Sequence, residues 1–156
     1  MAKISEIMLL QQAEQPALTI DATTDMNGMS QIIGESFMKI AAYMEECGEI
    51  PTDIPFVAYP DFESLNEKTI RMTIGFKLAK ALPGKGEIKS IRLPAEKIVF
   101  CLHRGTYDEL AKLYNEMMEW IKTKGYHGTG TSVEYYYTGP DVPESEHVTR
   151  VEMSLK

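Results

Sequence analysis

Apolar residues recur at three- and four-residue steps through Ile33, Phe37, Ile40, Ala41 and Met44, which predicts a helix over residues 30–47. Asn27-Gly28 turns the chain into that helix, and Gly48 sits where a C′ glycine would close it. Residues 17–22 read as a strand before the helix. After it, Pro51 and Pro55 bracket a loop into a short strand at 56–59. Residues 70–78 alternate most cleanly: Ile70, Met72, Ile74, Phe76 and Leu78 share one face, Arg71, Thr73, Gly75 and Lys77 the other. The same order then recurs. Strands are expected at 98–102, 133–137 and 148–155, with a further one at Ile91 and an edge segment around 4–11. Thr106 and Glu109 form a capping box that opens a second helix running to about residue 124, and Gly125 ends it.

The recurrence has a register. At a constant shift of 77 positions Gly28 falls on Gly105, Gly48 on Gly125, Tyr59 on Tyr136 and Leu78 on Leu155. Sizes match where letters differ: Ile33 with Leu110, Phe37 with Tyr114, Tyr43 with Trp120, Phe76 with Met153. Pro83-Gly84-Lys85-Gly86 is the expected link between pseudo-repeats of about 1–82 and 86–156. Strand-helix-strand-strand, twice, predicts one α+β domain over 1–156, an antiparallel sheet with two main helices and a central cleft where the halves meet.

A duplicated unit is informative where its copies differ. Val57 corresponds to Glu134, and Gly75 to Glu152, so both changes put a carboxylate in the second unit only. The two-residue period sets Glu134 and Tyr136 on one face of their strand, as Val57 and Tyr59 are on theirs. Two tyrosines beside one glutamate would make an aromatic cavity with an acidic floor, suited to an organic cation or a polar aromatic. Tyr43 and Trp120 are either further walls or core aromatics. Periodicity alone favours water for Glu134, and Glu152, opposite Val151, Met153 and Leu155, reads as solvated. His103 beside Arg104 reads as a turn residue, and Met38, Met44, Met117 and Met118 as core filling.

Charge and cysteine content narrow the classes. A formal net charge of −7 with scattered basic residues argues against nucleic acid, which requires a concentrated basic face. Cys47, Cys101 and the three histidines have no metal-like spacing, so neither metal nor cofactor is expected and both cysteines read as small apolar residues. The only apolar stretch near the amino terminus, residues 7–10, is too short for a signal peptide or membrane span, so a cytoplasmic protein is expected.

Residues 103–110, His-Arg-Gly-Thr-Tyr-Asp-Glu-Leu, resemble the His-x-Gly-x-Tyr turn of the GyrI-like small-molecule-binding domains. Glu119-Trp120-Ile121, Val133-Glu134-Tyr135-Tyr136 and Arg150-Val151-Glu152-Met153 follow in that family's order. The resemblance implies the duplicated fold and a pocket in which Glu134 faces bound cationic aromatics, reversing the reading from periodicity. It implies ring contacts from Tyr59, Tyr136 and Trp120, with Tyr43 and Val57 nearby. Some relatives carry a pocket tyrosine where this chain has Thr149. Two classes follow: a sensor or sequestering protein for hydrophobic or cationic aromatics, or a hydrolase of reactive cyclopropane-containing or ester-like aromatics, with Glu134 as general base and Tyr136 steadying the leaving oxygen. Contact with DNA gyrase is implied by analogy alone. No DNA-binding segment is read in the chain, so direct promoter contact is not expected.

Overall fold

The structure, a computed structural model, describes residues 3–156; the first two residues of the expected 1–156 domain lie outside the described residues. In chain order the elements are β1 (Met8–Gln12), β2 (Gln15–Thr24), α1 (Met29–Glu46), β3 (Phe56–Tyr59) and β4 (Ile70–Lys77). They are followed by β5 (Lys89–Leu93), β6 (Glu96–Arg104), α2 (Leu110–Thr123), β7 (Gly128–Tyr136) and β8 (Val148–Leu155). All eight strands form one antiparallel sheet in the order β1-β6-β8-β7-β3-β4-β2-β5. Both helices end at a glycine of positive φ, Gly48 at 71° and Gly125 at 79°.

The register shows the duplication. Helices and following strands align at the 77-residue shift. Ala17 pairs with Lys77 and Ile98 with Ser154, so the strand before each helix aligns at a shift of 81. The four extra residues fall in the first unit's turn between strand and helix. The outer strands are exchanged: β1 completes the second unit by pairing with β6, and β5 completes the first by pairing with β2.

That exchange forces the sheet to curl. β1 and β2 are six strand spacings apart in the sheet order, about 29 Å if flat at roughly 4.8 Å per strand. Yet only Ala13 and Glu14 join them, and such a link spans no more than about 11 Å. The joint between β5 and β6 imposes the same limit. The sheet therefore bends until its edges approach, and the face away from the helices lies inside the bend. This accounts for the burial there of Ala17, Phe56 and Tyr135.

On the other face, α1 lies on β2 and β4, burying Ile40 and Met44 against Leu18, Ile20 and Phe76. α2 lies on β6, burying Leu113, Met117 and Ile121 against Val99, Cys101, Val151 and Met153. Each helix is set to one side, so the strip over β3 and β7 is the groove between them.

Four expectations are corrected. Glu152 is buried, because the curl encloses the face it shares with Arg150. His103 is fully buried within β6 and points to the helix side, in line with Val99 and Cys101. Met38 is exposed on the outer side of α1, whereas Met44 and Met117 fill core positions. Cys101 is buried, as expected, but Cys47 is exposed. No helix of the described residues is long and apolar enough to cross a membrane.

Candidate functional site

β3 and β7 pair with Phe56 opposite Tyr135, Val57 opposite Glu134 and Tyr59 opposite Ser132. Val57 and Glu134 are also equivalent by the repeat shift. A residue that pairs with its own copy marks the pseudo-twofold axis, so Glu134 sits on the axis at the floor of the groove. The two tyrosines equivalent by the shift then face each other across it, with Tyr59 Oη 3.1 Å from Tyr136 Oη.

Around Glu134 the hydroxyls form a directed chain. Tyr114 donates to Oε2 at 2.6 Å and Tyr136 to Oε1 at 2.9 Å. Each phenol has one proton, so Tyr59 must donate to Tyr136. By the same count Ser132 donates to Tyr114, whose Oη lies 3.1 Å from Ser132 Oγ. Both carboxylate oxygens are thereby held by phenols. Ile32, Ile33, Phe37, Phe62 and Tyr136 pack against the buried cluster of Val57, Tyr59, Ile70, Met72 and Ile74 on this side of the sheet. Tyr107 stands edge-on to Tyr136 at 6.1 Å and stacks on His147 at 5.1 Å.

Electrostatics follow from this packing. Glu134 keeps some accessible surface, yet burial is the main influence on its carboxyl and raises its pKa, opposed by the donors Tyr114 and Tyr136. No lysine or arginine is among the groups that set its ionisation. Burial, with the Glu134 charge adding to it, pushes the phenols of Tyr114 and Tyr136 well above their ordinary range, so they remain donors.

Of the residues picked from the sequence, Glu134, Tyr136, Tyr59 and Val57 are brought together. Tyr43 and Trp120 are not, because at the repeat shift they lie toward the carboxyl ends of the helices, away from the axis. Tyr43 donates to the Pro83 carbonyl at 2.6 Å, and Trp120 stacks on Tyr126 with ring centroids 6.4 Å apart. The residues missed were Tyr114, Ser132, Tyr107 and Phe62. Tyr114 was legible: it replaces Phe37 at the same helical position, and the added hydroxyl is the second donor to Glu134.

Two surface hollows lie elsewhere. One, of about 380 Å³, is lined by Phe62, Met118, Ile121, Tyr126 and Met153; the other by residues 3–7 and Trp120. None of the ionisable residues lining them is buried, whereas at the axis one carboxylate is held by two phenols. Phe62 touches both the first hollow and the Tyr114 ring, at 5.4 Å between centroids. Among the described residues no three His, Cys, Asp or Glu side chains are placed to hold a metal ion.

A family model described as GyrI-like small molecule binding domain matches residues 5–156. Among solved structures, the EcmrR–DNA complex superposes with a TM-score of 0.81 at 21% identity, covering 97% of this chain and 57% of that one. The chain thus spans little more than half the length of EcmrR. The EcmrR C-terminal domain alone gives 0.75 at 20% identity, with 98% of both chains covered. A hydrolase from Listeria innocua gives 0.74 at 14% identity, covering 97% of this chain and 92% of that one. SAV2435 bound to tetraphenylphosphonium gives 0.59 at 14% identity, covering 97% and 94%. No curated protein sequence matches. At these identities the structural likeness shows the fold.

Proposed function

The chain belongs to the GyrI-like small-molecule-binding domain family, and from that premise we propose that it binds aromatic organic cations in the groove between its two units, over Glu134. One observation carries the reading: a carboxylate on the pseudo-twofold axis, held on both oxygens by phenols, with no cation paired with it among the described residues. Burying such a charge is costly, and a ligand cation stacked among Tyr59, Tyr136 and Tyr114 would supply the missing partner together with ring-face contact. The similar fold of SAV2435 bound to tetraphenylphosphonium supports the same ligand class.

The test is calorimetric titration with tetraphenylphosphonium. Glu134→Gln should weaken binding about tenfold or more, the worth of a desolvated charge pair. A bound cation favours the ionised carboxyl, so wild-type affinity should rise with pH until Glu134 is ionised in the free protein. The Gln variant should show no such rise. Equal affinity in the two proteins would remove the carboxylate from the site.

A second reading, hydrolysis of strained or ester-like aromatic compounds, is favoured by the same raised carboxyl, which brings Glu134 toward the range of a general base for water. Tyr136, donating at 2.9 Å, could transfer its hydrogen bond to a developing oxyanion. Under this reading Glu134→Gln lowers turnover about a hundredfold or more while binding of an uncharged substrate is kept. Turnover that survives the substitution rejects it.

A further inference from the structure

His103, Thr149 and Tyr136 form one cross-strand row on the helix side of the sheet, with His103 opposite Thr149 and Thr149 opposite Tyr136. His103 and Thr149 are both fully buried. Thr149 Oγ1 and both ring nitrogens of His103 have no hydrogen-bond partner. An unpaired buried polar group costs about 1–3 kcal/mol, so two adjacent ones call for something that completes them. The corresponding positions in the first unit are Ala22 and Met72, which also pair and carry no such groups. Polarity therefore appears on one side of the axis only, the side that also holds Tyr114.

We propose that His103 and Thr149 form a second, neutral subsite of the same groove, which takes a hydroxyl or carbonyl group carried on one arm of the bound aromatic. The proposal rests on the binding reading above. Burial holds the His103 imidazole below its ordinary pKa, so it presents one donor and one acceptor, a match for a neutral group rather than a second charge. Thr149 lies beside Tyr136, so an arm extending from a cation at Glu134 passes Tyr136 to reach it. Tyr107, half-exposed and edge-on to Tyr136, stands at the rim of this row. The apolar copy of the row, Ala22 and Met72, leaves the first-unit half of the groove to unsubstituted rings. An asymmetric ligand would thus have one orientation.

The experiment compares tetraphenylphosphonium with (4-hydroxyphenyl)triphenylphosphonium by calorimetry on wild type, Thr149→Val and His103→Gln. The four arms of the cation are equivalent, so the hydroxylated one can take whichever seat suits it. Wild type should bind the hydroxylated probe about three- to tenfold more tightly, the net worth of one neutral hydrogen bond. Thr149→Val keeps the shape and deletes the hydroxyl, so the ratio of its affinities for the two probes should fall to about one, whatever its affinity for tetraphenylphosphonium alone. It also removes an unpaired buried group, so its thermal midpoint should be at or above wild type, which shows that the fold is intact. Binding of both probes with the same affinity ratio in all three proteins would mean that the row is completed only by water, and would overturn the subsite alone. Failure of the hydroxylated probe alone would overturn the subsite, and failure of both cations to bind wild type would overturn the groove reading and the subsite with it.

Discussion

Val57 and Glu134 face each other across the pseudo-twofold axis, each standing where the other's copy would be. Because the position pairs with itself, the domain can keep a single carboxylate there without a like charge beside it. Directly opposed strand residues place their Cβ atoms about 5 Å apart. Val57→Glu would set two carboxylates side by side in a buried strip, and one would have to stay protonated or the strands part. The expected loss is about 2–4 kcal/mol at neutral pH, shrinking in acid, read from urea midpoints. Adding Glu134→Val should restore most of it. A fully stable single variant would mean that the two positions are not adjacent.

Tyr114→Phe gives the second unit the residue that the first has at Phe37. The ring contact with Phe62 remains and Glu134 Oε2 loses its donor. An acceptor left short in a buried site costs about 1–3 kcal/mol. The expected signature is a loss of that size at neutral pH together with a higher carboxyl pKa, seen as an upward shift in the pH midpoint of tetraphenylphosphonium binding. An unchanged midpoint would place Tyr114 outside the Glu134 hydrogen-bond chain.

Much of this architecture was legible because it is written in local periods. The alternation of Ile70, Met72, Ile74 and Phe76 and the helical steps of Ile33, Phe37 and Ile40 each place their own element. The repeat shift places Tyr59 against Tyr136. What escaped is non-local. Nothing in the neighbourhood of Glu152 says that the sheet curls over it, because the curl follows from the exchange of β1 and β5 between the units. His103 looked like a turn residue since the turn glycine is only two positions away, yet β6 runs through Arg104 before turning. Reading Phe37 and Tyr114 as a match in size hid the one atom that distinguishes them.

Inside the curl, Arg150 donates to Asp53 at 2.7 Å and lies 3.1 Å from Glu152, with its guanidinium 3.8 Å from the Tyr135 ring centroid. Lys77, 3.7 Å from Asp53, completes a network of two cations and two carboxylates. Arg150→Met keeps much of the packing but leaves Lys77 as the one cation beside the two carboxylates, with Gln12 still donating to Glu152 and the Ile54 backbone to Asp53. Stability should fall by about 2–4 kcal/mol, less than for a fully buried pair because the Asp53 side chain remains 28% exposed. Arg150→Lys should recover only part, since it cannot span both partners in one plane. Urea titration of the three proteins decides it, and a neutral Arg150→Met would make the network dispensable.

Stability against pH provides a test of Glu134 that needs no ligand. The native carboxyl titrates above its ordinary value of 4.5, raised by burial against the pull of its two phenol donors. Between those two values the native protein keeps a proton that the unfolded chain has released. The stability contributed by this group is therefore complete below the unfolded pKa and is lost as pH rises through the native one, by up to about 1.4 kcal/mol per pH unit. Glu134→Gln cannot ionise and loses nothing over that window. Its own cost, one phenol obliged to reorient because an amide accepts on one side only, is the same at every pH. The difference in unfolding free energy between variant and wild type should thus drift steadily in favour of Gln from about pH 4.5 upward and level off once the native carboxyl is ionised. Glu152 is raised by burial too, but it is present in both proteins and cancels from the comparison. Paired urea titrations at half-unit steps give the curve directly. Parallel lines would mean that the carboxyl has the same pKa folded and unfolded, and would remove the buried charge on which the cation reading depends.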